Sequence, residues 1–373
     1  MARESLMTAL ACSRLTLDYP GVPVLAGIDL VIADGEVMAL LGASGSGKTT
    51  LIHAVAGFVT PTAGEIRLGG SLVSTARHCV APERRRVGMV FQNYALWPHM
   101  TALDTVAYPL RRAGTAERVA RERARELLDR VGVGALAGRT PAEMSGGEQQ
   151  RVGLARALAR DADLYVFDEP SAHLDAHLRM TVLDEFARQR AMSGAAALYA
   201  THDASEALAI ADRVAVLHDG RLAQVGEPAD VYAQPADLHV AQLTGVARML
   251  TAPVELTGPG SLVVTVDSVS TTVPCANALD ANGSRHAASG GTSDVRPAGG
   301  SRDVRSATLL VRPEWAALGG ELPGRVIAVR YHGPDSDHYL ETPVGTVVIR
   351  SPGTPRASEG DRTTWSLLRC WRM

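Results

Sequence analysis

The chain has 373 residues, a net charge of -3, and 46% hydrophobic against 21% charged residues. These are ordinary globular values that exclude a disordered or fibrous protein, and the length favours two domains over one. With a pI near 6.4 the chain carries no electrostatic footprint for nucleic acid.

From Leu15 to about Phe91 the pattern is strand-rich. LTLDY is followed by IDLVI and EVMALL, and Asp34-Gly35 between the last two predicts a hairpin turn. VMALL is a continuous apolar run, as in a strand buried on both faces, and it leads through glycines into a predicted helix, KTTLIHAVAGF. A second strand pair is expected after the Pro61, Ala63, Gly64 turn, and Val87 to Phe91 reads as another buried strand. Between about 93 and 160 the texture becomes helical, with Val119, Leu127, Leu128 and Val131 spaced along one face. Strand signals return in LYVF (164–167), AAALYA (195–200) and RVAVL (213–217), so a mostly parallel sheet covered by helices is expected. Ligands of such sheets bind at the carboxyl ends of the strands. After about Leu243 the alternation has period two, which predicts a smaller all-β domain over 244–373, with a mobile Gly/Ser-rich loop near 275–306.

Cys12, Cys79, Cys275 and Cys370 are widely scattered and lack CxxC spacing, so neither a disulfide framework nor a zinc site is expected, and a reducing cytosol fits. Glu4 and Ser5 interrupt the apolar run a signal peptide would need. No run of ~20 apolar residues occurs, so no segment is expected to cross a membrane.

Gly42-Ala43-Ser44-Gly45-Ser46-Gly47-Lys48-Thr49, followed by Thr50, matches GxxxxGK[ST] between a buried strand and a helix. Small residues let backbone N–H groups curl around phosphates, Lys48 reaches the β and γ oxygens, and Thr49 can bind magnesium. Leu164 to Pro170 is an apolar strand ending in two acids. Asp168 is placed to hold Mg2+, directly or through water, and Glu169 to take a proton from water attacking the γ-phosphate. Ser145-Gly146-Gly147-Glu148 reads both as a second anion-binding helix start and as S-x-x-E, a capping box.

In this order GASGSGKTT, FQNYALWPHMT, MSGGEQQR, LYVFDEPSAHLD and THD resemble the ATP-binding subunit of an ABC transporter, over about residues 8–243 and more weakly beyond. The resemblance implies a P-loop NTPase fold with a RecA-like α/β core, a β-subdomain and a helical insertion. It implies Tyr19 stacking on adenine, Gln92 sensing magnesium and the attacking water, His202 on the γ-phosphate, and Asp175 in a loop communicating across a dimer. ATP and Mg2+ are the implied ligands, held between the phosphate loop of one subunit and Ser145 to Glu148 of another, in a homodimer or with a similar subunit. Glutamine is usual where Glu148 stands; its carboxylate either caps the helix or meets the ribose. Trp97, Pro98, His99 and Met100 fall where the family forms a groove for its permease, although Trp97 and Met100 read equally well as core packing. Glu83-Arg84-Arg85-Arg86 reads as a solvated charge run.

Val311 to Trp315 and Leu322 to Val326 resemble the small β-barrel domain called TOBE, found on importers for sugars, polyamines, iron, sulfate and molybdate. The implied function is an ATPase that energises a membrane importer from the cytoplasmic face, served indirectly by a substrate-binding protein. YALWPHMT favours ferric iron, polyamine or phosphonate over sugar. A soluble ABC ATPase of translation or DNA repair is the alternative outside transport.

Overall fold

Thr8–Tyr19 (β1) alternates buried Leu10, Cys12, Leu15 and Leu17 with more exposed neighbours, and pairs antiparallel with Val22–Ala33 (β2). The expected hairpin at Asp34-Gly35 does not form. That turn instead carries the chain into a different sheet, where Val37–Leu41 (β3) runs parallel to both of its neighbours. All five β3 residues are buried, and a strand apolar on both faces belongs inside a helix-covered sheet rather than beside β2 with its exposed positions.

Lys48–Ala56 (α1) follows β3. Ala63–Leu68 (β4), Ser71–Thr75 (β5) and His78–Cys79 (β6) then complete an antiparallel sheet in the order β2-β1-β4-β5-β6. Val87–Val90 (β7) returns to the parallel sheet. The helical stretch consists of Ala102–Arg112 (α2), Glu117–Arg130 (α3) and Gly146–Leu158 (α4), packed through Val106, Leu127, Leu128 and Val152. Leu164–Asp168 (β8), Ala196–Thr201 (β9), Arg213–His218 (β10) and Arg221–Gly226 (β11) complete a six-stranded sheet ordered β11-β10-β3-β9-β8-β7. Only β11 is antiparallel to its neighbour.

This α/β core belongs to the first of two compact units, Met1–Val231 and Tyr232–Met373. The computed structural model describes residues 8–19, 21–160, 162–170, 194–258, 260–278 and 305–373. Asp175, and most of the loop expected at 275–306, lie outside the described residues. Among the described residues no helix is long and apolar enough to cross a membrane.

The second unit is built from two antiparallel sheets. Arg248–Gly258 (β12), Ser261–Val266 (β13), Val269–Pro274 (β14) and Arg305–Val311 (β15) belong to one. Ala316–Tyr331 (β16), Asp335–Thr342 (β17), Gly345–Pro352 (β18) and Arg362–Leu367 (β19) make the other, in the order β18-β17-β16-β19. Trp371–Arg372 (β20) joins the first, giving β14-β13-β12-β15-β20. Trp365 is fully buried in the core and donates its indole N–H to Pro323 O at 3.1 Å. Arg312, also fully buried, donates to Tyr232 O, Ala241 O and Thr244 Oγ1, and its guanidinium lies 3.7 Å from the Tyr232 ring centroid. It pins the helix Leu238–Thr244 to this unit.

Glu83 to Arg86 is not uniformly solvated. Arg85 is 1% exposed, and its guanidinium donates to Ala54 O and Val55 O at the end of α1, to Val80 O and Val73 O, and to Ser74 Oγ. A charged group is stable there because carbonyl dipoles replace its water. Gly57 makes room: a Cβ at that position would lie 2.5 Å from Arg85 Nε.

Candidate functional site

The parallel strands β3, β8 and β9 deliver their carboxyl ends to one place, where the sequence puts the phosphate loop, Asp168-Glu169 and Thr201-His202. Gly42 cannot carry a side chain, because a Cβ would sit 2.5 Å from Ser46 Oγ and 2.6 Å from Leu217 O. Gly45 and Gly47 adopt φ of 82° and 106°, which curls the loop through Ala43, Ser44 and Ser46 into the first turn of α1. Ser46 Oγ is buried without a hydrogen-bond partner, which fits a hydroxyl placed to meet a phosphate oxygen.

Lys48 is 4% exposed and donates to Gly42 O at 2.8 Å and Ala43 O at 3.1 Å, while its Nζ lies 3.3 Å from Glu169 Oε1. Thr49 Oγ1 donates to Asp168 Oδ1 at 3.1 Å. Burial raises the Asp168 carboxyl above its ordinary range, and the Thr49 hydroxyl partly offsets this. A buried carboxylate paired with a hydroxyl oxygen is a hard donor set, the kind a small divalent cation takes. Thr50 follows in α1 with its side chain half-buried.

Glu169 occupies the left-handed region at φ 45°, held by its N–H to Ala200 O, and this strained backbone turns its carboxylate between two cations or potential cations. One is Lys48; the other is His202, whose Nδ1 lies 3.3 Å from Glu169 Oε2. Asp203 caps the helix Ala204–Ile210 behind His202, and buried Glu206 accepts from Thr201 Oγ1 at 2.9 Å. Lys48, Thr49, Asp168, Glu169 and His202 are thus one connected cluster.

The other expected residues lie around it. Tyr19 is 43% exposed at the end of β1, and Gln92 is exposed two residues beyond β7. Ser145 caps α4, whose first residues are Gly146 and Gly147. Glu148 forms the capping box: its Oε2 accepts from Ser145 N at 2.7 Å and Ser145 Oγ at 2.8 Å. The Ser145 backbone N–H, followed by the Ser145 hydroxyl, holds the Glu148 carboxyl below its ordinary range.

Two contributors escaped sequence reading. Arg156, in α4, donates to Ala95 O at 2.5 Å and Tyr94 O at 3.1 Å, gripping a turn in which both acceptor residues have positive φ. Burial lowers its pKa to about 10. A cavity of about 940 Å³ opens beside this turn, lined among others by Phe58, Arg84, Phe91, Trp97, Tyr108 and Arg112 and by no residue of the phosphate loop. Trp97 packs at 4.9 Å from Tyr108 and forms a wall of this cavity, which places it between the two readings open in the sequence.

A family profile described as ABC transporter matches residues 25–172. The Fe(3+) ions import ATP-binding protein FbpC of Brucella melitensis biotype 1 is 36% identical over 344 residues, covering 92% of this chain and 91% of that protein. The spermidine/putrescine import ATP-binding protein PotA of Ruegeria pomeroyi is 36% identical over 376 residues, covering 97% and 95%. Among solved structures, the ATP-binding cassette MJ0796, a dimer in a post-hydrolysis state bound to ADP and Pi, superposes with a TM-score of 0.55 at 28% identity, over 59% of this chain and 98% of that one. Cluster, motif order and relatives agree: the chain belongs to the ABC transporter family, as one of its ATP-binding, ATP-hydrolysing subunits.

Proposed function

We propose that the chain energises a membrane importer for ferric iron or a polyamine, docked through its permease at the cytoplasmic face. The observation that carries the ATPase chemistry is the cluster at the ends of β3, β8 and β9. Backbone N–H groups of Gly42 to Thr50 cradle the phosphates, and Lys48 exchanges its bonds to Gly42 O, Ala43 O and Glu169 for phosphate oxygens. Thr49 and Asp168, with Gln92 two residues beyond β7, the neighbour of β8, would hold Mg2+, which screens phosphate charge when bound. Glu169, released by Lys48, accepts the proton of the attacking water, and His202 orients the γ-phosphate side of the site. Tyr19 offers its exposed ring to adenine.

A second copy supplies Ser145, Gly146 and Gly147 to the same nucleotide, so the working unit is a head-to-tail dimer. Its Glu148 stays in the helix cap, leaving the glycine N–H groups free for phosphate. The aromatic and arginine-lined cavity beside Trp97 receives a permease segment. Residues 244–373 form an appended TOBE-like domain and 1–243 carry the ATPase, the segment from Tyr232 to Leu243 packing with the second compact unit. Ferric iron and polyamine are the cargoes in the names of the relatives that align with nearly the whole chain.

The test is reconstitution with the co-expressed permease in liposomes loaded with ATP. Uptake of either ferric iron or spermidine, together with permease-stimulated hydrolysis, is expected. ATP hydrolysis indifferent to the permease would refute the transport assignment, and uptake of a sugar alone would refute the cargo.

A further inference from the structure

Cys275 and Cys370, far apart in sequence, meet in the second unit. Cys275 follows β14 and Cys370 precedes β20, the two edge strands in the order β14-β13-β12-β15-β20. The sheet curls so that these edges touch: Cys370 N–H donates to Pro274 O at 3.1 Å. Asn277 completes the seam as a strand would, its Oδ1 accepting from Arg372 N at 2.9 Å and its Nδ2 donating to Arg372 O. Both thiols are 0% exposed, and Cys275 Sγ donates to the same Asn277 Oδ1 at 3.3 Å. The backbone of Cys370 is thus hydrogen bonded to the residue that precedes Cys275, which brings the two chain positions side by side.

We propose that Cys275 and Cys370 are an oxidisable dithiol that hydrogen peroxide converts to a disulfide, covalently closing the seam of the five-stranded sheet. The neighbouring Cys370 thiol pulls the Cys275 pKa down, whereas Cys275 and burial push that of Cys370 up. Either thiol can attack; with Cys275 first, Cys370 is the resolving thiol. In the first step Cys275 sulfur attacks one peroxide oxygen; the S–O bond forms, the O–O bond breaks, and hydroxide leaves as water with the displaced thiol proton. In the second, Cys370 sulfur attacks the sulfenic sulfur; the S–S bond forms, the S–O bond breaks, and a second water carries off the Cys370 proton. Two thiols are oxidised by two electrons and one peroxide is reduced to two waters.

Burial selects the oxidant. Both thiols are fully buried beside the two-residue β20, so a small neutral peroxide reaches them more readily than a bulky disulfide such as oxidised glutathione. A zinc site is the competing use of paired cysteines, and it needs four ligands. Among the described residues no third His, Cys, Asp or Glu joins the two cysteines in a group that could hold a metal ion. The remaining cysteines serve as internal comparators. Burial pushes the Cys12 pKa up to about 12, and Cys79, partly exposed, has Ser74, Gly57, Val80 and Arg85 as hydrogen-bond partners rather than a second thiol.

The experiment uses the full-length, reduced protein, treated with graded hydrogen peroxide, quenched with catalase, blocked with N-ethylmaleimide and digested without reductant for mass spectrometry. Peptides containing Cys275 and Cys370 are expected joined, about 2 Da lighter than the sum of their reduced forms. Dithiothreitol should separate them, and the oxidised protein should gain several degrees in the melting of its second unit. In Cys370→Ser, dimedone should trap a sulfenic acid on Cys275; the joined peptide of the parent protein is diagnostic even if that variant does not fold. The proposal is overturned if both thiols remain fully alkylated at peroxide levels that oxidise Cys79. It is equally overturned if Cys275 advances to sulfinic acid without joining Cys370, or if oxidised glutathione joins the pair as readily as peroxide.

Discussion

Buried charge is handled in opposite ways in the two units. In the second, Arg312 has carbonyl, hydroxyl and aromatic partners on every side, and Asp337 is gripped by both Arg350 Nε at 2.7 Å and Nη2 at 2.8 Å. In the first, Lys48 leans on two loop carbonyls and on Glu169, Glu169 is strained, and Ser46 Oγ has no partner. Charges with complete shells hold a fold together; charges with provisional shells await a ligand. Arg85 shows that the first unit uses both kinds, since its donors are satisfied by carbonyls and Ser74.

Substitutions can break or sharpen that contrast. The largest effect is expected from Glu169→Gln, which removes the base and leaves the shape: steady-state hydrolysis should fall by about 100-fold or more while ATP binding, read by equilibrium dialysis, persists. Wild-type turnover in this variant would remove Glu169 from its role. Arg85→Met strands several buried carbonyls and should cost about 3–5 kcal/mol of stability in urea denaturation. Arg312→Met should cost about 2–4 kcal/mol by the same logic, with basal hydrolysis within twofold. If Arg312→Met lost turnover as deeply as Glu169→Gln, the distinction between complete and provisional shells would fail.

Asp337 offers a titration. Its bond to Arg350 holds the carboxyl below its ordinary range, with the nearby His332 also contributing. The folded form therefore binds its proton more weakly than the unfolded chain. The stabilisation is complete above the unfolded pKa of about 4 and disappears as the pH falls through the lowered folded value. Asp337→Asn should melt earlier than the parent at neutral pH, and the gap should close on acidification; a gap independent of pH would point to packing instead. The smallest effect is expected at Glu148, where Gln keeps the acceptor and loses the charge: ATPase activity should stay within a few fold. A collapse matching Glu169→Gln would show that the charge itself is needed.

What sequence made legible was local. The phosphate loop, the acidic strand end and the Ser145 to Glu148 cap each lie within a few residues, so spacing alone encodes their geometry. The alternation of strands and helices gave the parallel core for the same reason. Asp34-Gly35 misled because a turn dipeptide states that the chain turns, not whether the next strand pairs with the last. Arg85 was hidden in a run of charges, Arg156 is more than sixty residues from its acceptors, and Cys275 meets Cys370 only because a sheet curls. No window of sequence contains such contacts; they exist only once the topology does.

Arg156 carries one further consequence. It belongs to the helix that begins with Ser145-Gly146-Gly147-Glu148, yet its hydrogen bonds fix the turn that follows Gln92. The signature helix is therefore tied to that turn and, with the Arg156 guanidinium 5.4 Å from the Trp97 ring, to the wall of the cavity beside it. In mechanical terms the arginine is a tie between the two, and cutting it would leave the turn to be held by its own backbone.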